Sequence, residues 1–261
     1  MLLVVDVGNT NMTFGLYNGE KLIGSYRLTT KLKRTSDEYG FMLMNFLNIS
    51  KVLPEDIDDV IVASVVPKIM YSFNNSLRKY LKKEPIIIGP GIKTGIIIKY
   101  DNPKEVGADR IVDAVGAHYC YGGDVLVIDF GTATTFEYID KDGVYRGGCI
   151  VPGIEITAQA LSTNTAKLPE IEIKYVDKVL TTNTISGMQA GLIHGYIGTV
   201  EHIVRKCKQE TGKDLKVIAT GGLGRIMSEN TKEIDIYDPE LTFKGLRLVY
   251  ERNKEKMNGK N

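Results

Sequence analysis

Apolar positions in this chain fall into short β-branched runs separated by glycine- and asparagine-rich breaks, and one such arrangement occurs twice. Leu2, Leu3, Val4, Val5 and Val7 make a run interrupted only by Asp6, which predicts a buried strand. Gly8, Asn9, Thr10 and Asn11 form a tight turn, and residues 13–17 predict a second strand. Asn18-Gly19 is a strong two-residue hairpin signal, so residues 21–28 predict the return strand. The pattern restarts at Val125. Residues 125–128 lead to Asp129, and Phe130-Gly131-Thr132 makes the turn into a strand over 133–139. Asp142-Gly143 then takes the place of Asn18-Gly19 before a return strand over 144–150. Asp129 follows Asp6 by 123 residues, which predicts two similar domains, 1–120 and 121–261, facing each other. A carboxylate at a buried strand end is costly unless it meets a cation or hydrogen-bond donors. The small and hydroxylated residues after each Asp supply N–H and O–H groups, a combination suited to a metal–polyphosphate complex. Two ordinary strand–turn–strand units with turn-shaping Asp residues would look similar singly. Their matched order favours the phosphate reading.

Residues 29–35 form a polar loop with Lys31, Lys33 and Arg34, either a solvated connection or an arm toward nucleotide phosphates. Ser36 is placed to cap a helix with Tyr39, Leu43, Phe46 and Leu47 on one face. A buried strand over 59–64 follows, then a helix opened by Pro67 and running through Leu81, then a strand over 85–88. The order β-β-β-α-β-α-β is not a plain doubly wound sheet. It is similar to the ribonuclease-H-like core of the sugar kinase, heat-shock-70 and actin group, in which two such domains hold a nucleotide in the cleft between them.

Residues 95–100 predict another strand, and a helix opens near Val106 with Asp109 and Arg110 in its first turn. The helix N-terminus favours an acidic residue there and disfavours a cation, so Arg110 points to an anion. Residues 147–153 are glycine-rich, and residues 161–173 read as an irregular surface excursion. Asn183 or Thr184 is placed to cap a long helix that ends before Gly212, with Met188, Leu192, Tyr196, Val200 and Val204 in its apolar stripe. Gly187, Gly191 and Gly195 make a smooth face on it, suited to close packing of another helix of the chain or of a partner subunit, the former favoured. A strand over 216–220 runs into Gly221-Gly222-Leu223-Gly224, whose flat backbone suits adenine or ribose. An amphipathic helix over 241–250 leads to a charged tail expected to fray beyond Arg252.

Composition narrows the function. The 261 residues are 43% hydrophobic and 25% charged with a net charge of +1, leaving no basic excess for nucleic acid. No apolar run approaches a membrane span, and the N-terminal run is broken by Asp6 and lacks a basic lead, unlike a signal peptide. Cys120, Cys149 and Cys207 are odd in number and widely spaced, fitting neither a disulfide framework nor a zinc site. Each reads as a small packed residue in a reducing cytoplasm.

The chain carries no P-loop and no G-x-G-x-x-G. Phosphoryl transfer needs positioning and charge neutralisation more than covalent chemistry. Three carboxylates divide that work: Asp6 and Asp129 at strand ends to hold cations, and Asp109 on a separate element to accept a proton. Asn9, Thr10, Asn11, Thr13 and Thr132 are candidate donors to phosphate oxygens.

In order, DVGNTN at 6–11, YDNPKEVGADR at 100–110, DFGTATT at 129–135 and TGG at 220–222 resemble the type III pantothenate kinases over nearly the whole chain. The resemblance implies two tandem ribonuclease-H-like domains and ATP-dependent phosphorylation of pantothenate to 4'-phosphopantothenate, the first step of coenzyme A synthesis. It implies that Asp6, Val7, Gly8, Asn9, Thr10, Asn11, Met12 and Thr13 form the first phosphate motif, with Asp6 near magnesium. It implies Asp109 as general base, and Tyr100, Gly107, Ala108, Asp109, Arg110 and Thr184 as pantothenate contacts. Asp129 is implied as the ligand of a monovalent cation, potassium or ammonium, and Thr132 as an ATP contact. A homodimer is implied as well, with Thr184 reaching the other subunit's site. Glu137 departs from the Asp that relatives often carry. The rival readings are a superfamily kinase for another small alcohol, a polyphosphate hydrolase, and a non-catalytic regulator on the same fold.

Overall fold

The computed structural model describes residues 1–258, with side chains described through residue 254. The first half contains β1 (Leu2–Val7), β2 (Asn11–Asn18), β3 (Lys21–Thr29), α1 (Ser36–Ile49), β4 (Asp59–Ser64), α2 (Pro67–Ser76), β5 (Ile86–Ile87), β6 (Ile97–Ile98) and α3 (Ala108–Tyr121). There follow β7 (Val125–Phe130), β8 (Ala133–Ile139), β9 (Val144–Pro152), α4 (Ile154–Asn164), α5 (Thr184–Thr211), β10 (Lys216–Thr220), α6 (Gly224–Glu229), β11 (Ile236–Tyr237) and α7 (Leu241–Asn258).

Two compact units result. One holds residues 1–96, 101–116 and 241 onward, and the other holds 97–100 and 117–240. This differs from a cut at 120/121 in the placement of residues 117–120, of α7 and of the short strand β6. Packing explains the last two. A Cβ on Gly15 of β2 would lie 3.1 Å from the Phe243 ring, and one on Gly116 of α3 would lie 2.6 Å from the Leu241 carbonyl, so α7 lies close against the first unit. β6 is instead tied to the second unit by Ile97 N–H to Gly143 C=O at 3.0 Å and Lys99 N–H to Tyr145 C=O at 2.9 Å.

In the first unit the sheet order is β3-β2-β1-β4-β5, with β1 antiparallel to β2 and parallel to β4. Leu3, Val5 and Val7 of β1 bury against Tyr39, Leu43 and Leu47 of α1 and Phe73 of α2. Alternation turns Val4 and Asp6 to the other face, where α7 lies. The cap of α1 is Thr35 rather than Ser36. Thr35 Oγ1 accepts from Glu38 N–H at 3.3 Å while Glu38 Oε2 accepts from Thr35 N–H at 2.7 Å, a reciprocal box that a Ser at the first helical position cannot make. After α2 the chain widens into a π-helical turn, Leu77–Leu81, completing the helix expected from Pro67. α7 continues past Arg252 to Asn258. Instead of fraying, Asn253 is buried, and its side chain exchanges hydrogen bonds with the Lys93 backbone at 3.0 and 2.9 Å. Residues 259–261 of the expected tail lie outside the described residues.

In the second unit the sheet order is β11-β10-β7-β8-β9-β6. Read from β9 to β11, it repeats the first sheet strand for strand, with β6 added at the β9 edge. The repeated ribonuclease-H-like scheme is therefore present twice. α4 occupies the start of the stretch expected to be irregular, which begins only at residue 165. Only Ile154 and Ala158 of this helix are buried, too short a stripe to read as periodicity. α5 starts at the Asn183 cap, whose Oδ1 accepts from Ser186 N–H at 2.9 Å, and stops at Gly212, φ +62°. Its buried stripe runs Met188, Leu192, Tyr196, Val200, Val204. Gly191 and Gly195 sit about 100° around the helix from that stripe, and Cβ atoms there would find nothing within 4 Å among the described residues. Among the described residues α4 is the helix beside this face, its Thr157, Ala160 and Leu161 lining a groove with Gly187 and Gly191, without the close packing that the glycines would allow. Cys120 and Cys149 are exposed rather than packed, and Cys207 is half-buried. No helix among the described residues is long and apolar enough to cross a membrane.

Candidate active site

In the first unit, β1 ends at Asp6 and Val7, and the turn closes when Gly8 N–H donates to Asn11 C=O at 3.0 Å. Asp6 is half-buried and stands opposite Thr13 on β2, so the two side chains share a face. Asn9 at the tip is exposed. Met12 is fully buried in the core, so its side chain serves packing, and only its backbone can face a ligand.

Two further segments meet this turn. Val65 follows β4 and donates its N–H to Val7 C=O at 3.1 Å. Its Cγ1 lies 3.3 Å from where a Cβ on Gly107 would stand. Gly107 precedes α3, and a side chain there would collide with Asp109 Oδ1. Asp109 Oδ1 accepts from Arg110 N–H at 2.8 Å, which fixes the carboxylate at the start of the helix. Thus the first unit brings the turn at 6–13 and the segment 107–110 to one corner, with Val65 as the joint. Val65 carries no polar atom in its side chain, and its role depends on strand register, so sequence pattern could not single it out. Arg110 Nη2 donates to Glu105 C=O at 2.8 Å, so part of the guanidinium holds its own loop.

In the second unit, Asp129 is the last polar residue of β7, paired with Thr135 of β8 and Thr220 of β10. Its carboxylate lies between two glycines. A Cβ on Gly221 would be 2.6 Å from Oδ1, and one on Gly131 would be 3.3 Å from Oδ2. Gly221 also has φ +87°, a conformation that side chains resist. The 129–135 and 220–222 motifs therefore form one cradle. The glycine-rich passage serves the same turn, because Gly153 N–H donates to Thr132 C=O at 3.2 Å and a side chain at 153 would strike that carbonyl. Glu137 is buried on the Asp129 side of the sheet, facing Gly148. Tyr100 packs edge-on against Tyr145, ring centroids 6.1 Å apart, at the β6 edge. Two strands, β8 and β9, lie between β6 and the strand of Asp129. Thr184 is exposed at the first position of α5.

Cation chemistry fits this donor set. Among the described residues no group of three or more His, Cys, Asp or Glu side chains is placed to hold a metal ion. Magnesium carried by a triphosphate needs only one or two protein carboxylates, the rest of its shell being water and phosphate. Asp6, half-buried at a strand end, meets that need. Asp129 is a single carboxylate held between glycines that admit no side chain.

A family model for type III pantothenate kinase matches residues 2–206. A type III pantothenate kinase of Agathobacter rectalis is 54% identical over 257 residues, covering 98% of this chain and 99% of that one. One from Bifidobacterium longum subsp. infantis is 51% identical over 253 residues, covering 97% and 99%. Among solved structures, a candidate 2-dehydro-3-deoxygalactonokinase of Sinorhizobium meliloti aligns with TM-score 0.61 at 11% identity, covering 97% of this chain and 96% of that one. Component A of the Acidaminococcus fermentans (R)-2-hydroxyglutaryl-CoA dehydratase aligns with TM-score 0.56 at 15% identity, covering 98% of each. The structural likenesses speak for the fold alone, whereas the matches in sequence run nearly end to end. This chain belongs to the type III pantothenate kinase family.

Proposed function

We infer that the protein phosphorylates pantothenate at the expense of ATP, the first step of coenzyme A synthesis, with Asp109 as the general base. One observation supports the role of Asp109 above the others. Its carboxylate is oriented by the Arg110 N–H and confined over Gly107, at the corner where Val65 joins the phosphate turn. The Asp6–Thr13 turn receives the phosphates through backbone N–H groups and the side chains of Asn9, Thr10, Asn11 and Thr13. Thr132 is a further candidate ATP contact. Tyr100, Gly107, Ala108 and Arg110 hold pantothenate, so that its primary hydroxyl meets Asp109. The carboxylate takes the hydroxyl proton as the oxygen attacks the terminal phosphorus in line. When bound, magnesium at Asp6 and potassium or ammonium at Asp129 offset the charge that builds on the phosphoryl oxygens.

The open glycine face of α5 supports a homodimer in which Thr184 serves the neighbouring site, because small residues let a second backbone approach closely. Light scattering on the purified protein reads this directly. A cytoplasmic location follows from the pathway step. The reaction itself is tested by ADP release that depends on both pantothenate and ATP, run first in sodium and then in potassium. Activity with pantothenate that rises in potassium supports the reading. Release without pantothenate, or with a different alcohol only, contradicts it.

A further inference from the structure

The basic loop between β3 and α1 does meet the phosphate turn, but through a threonine rather than its lysines. Thr30 is only 8% exposed. Its hydroxyl donates to Gly8 C=O at 2.8 Å and its N–H donates to Thr10 C=O at 2.8 Å. Thr29 Oγ1 donates to the same Thr10 carbonyl at 3.4 Å. The loop that presents Thr30 is itself closed, since Arg34 Nη1 donates to Thr29 C=O at 2.6 Å and the guanidinium lies 6.0 Å over the Tyr39 ring.

A trans peptide unit points its C=O and N–H in opposite directions. Holding Gly8 C=O toward Thr30 therefore turns the Asn9 N–H away from the loop, at the exposed tip of the turn. Holding Thr10 C=O the same way keeps a second oxygen from facing an incoming anion. A carbonyl oxygen turned toward a triphosphate would repel it, so a turn of this kind binds phosphate only while its carbonyls are retained elsewhere.

We propose that Thr30 is a positioning residue for ATP: its hydroxyl and N–H hold the Gly8 and Thr10 carbonyls back so that the turn presents N–H groups to the phosphates. The proposal rests on the reading of residues 6–13 as the triphosphate turn. Thr30→Val keeps the shape and removes the hydroxyl, whereas Thr30→Ser keeps the hydroxyl. Steady-state constants for both substrates and the melting temperature are measured on the full chain. The expected result is a rise of about tenfold in the ATP KM for Thr30→Val. The pantothenate KM stays within about twofold, and Thr30→Ser restores the ATP KM. A parental ATP KM in Thr30→Val, an equal rise for both substrates, or no rescue by serine overturns the proposal. Should the valine variant not fold, Thr30→Ala is read against Thr30→Ser in the same way. Asn9→Ala and Thr10→Val separate the two readings. If they raise the ATP KM and Thr30→Val does not, the Thr30 role fails alone. If none of the three raises it, the phosphate turn fails with it.

Discussion

The Asp129 carboxylate occupies the space that a side chain on Gly221 would need. A Cβ at Gly221 would lie 2.6 Å from Asp129 Oδ1 and 2.6 Å from Phe130 C=O, on a backbone with φ +87°. The pairing of Thr220 with Asp129 across parallel strands brings these two residues together. An acidic strand end and a distant double glycine thus make one construction.

Gly221→Ala is therefore expected to act on Asp129 as well as on the fold. Strain at a left-handed non-glycine position costs about 1–3 kcal/mol, so the melting temperature should fall by several degrees. Stimulation by potassium should fall with it, because the carboxylate is displaced. Asp129→Ala should abolish that stimulation with the backbone intact. Activity ratios in potassium and sodium, read beside thermal melts, check both variants.

Gly107→Ala should hurt catalysis more than stability. The new methyl would press on Asp109 Oδ1 and approach Val65, while the segment lies outside the regular core. A drop in kcat of about tenfold or more is expected for a displaced base, with the ATP KM within about twofold. Steady-state kinetics over both substrates checks this.

The β8–β9 hairpin carries a pH-dependent support. Asp140 Oδ1 accepts from the N–H groups of Asp142 and Val144 at 3.0 Å each, and Oδ2 accepts from Arg146 Nε at 2.6 Å. Burial alone would raise the Asp140 pKa, but these bonds outweigh it and hold the carboxyl below its ordinary value. A lowered folded pKa means that the contribution is complete above the unfolded value near 4 and is lost as pH falls through the lower folded value. Asp140→Ala should cost about 1–3 kcal/mol at neutral pH. The gap from the parent protein should shrink as pH falls below the unfolded value. Urea melts of both proteins at pH 7 and pH 3 measure it.

Local signals made much of this molecule legible. Asn18-Gly19 and Asp142-Gly143 announced the hairpins, and the internal repeat announced two similar sheets, because turn chemistry and strand alternation are encoded over a few residues. α4 escaped notice because only Ile154 and Ala158 are buried on it. The attachment of α7 to the first unit depends on close approach at Gly15, Gly116 and Gly245, which no local pattern encodes. Of the candidate site, the acidic residues and their turns were readable as motifs. Val65 and Thr30 were not, since their importance lies in partners reached through strand register and loop closure.

The most direct test of the account is the turnover of Asp109→Asn. This variant keeps the size of the side chain and an oxygen able to accept from Arg110 N–H, but removes the base. The account predicts a fall in kcat within the range of about 10²–10⁴-fold for a general base, with ATP affinity nearly unchanged. A variant that turns over pantothenate at the parental rate would contradict it.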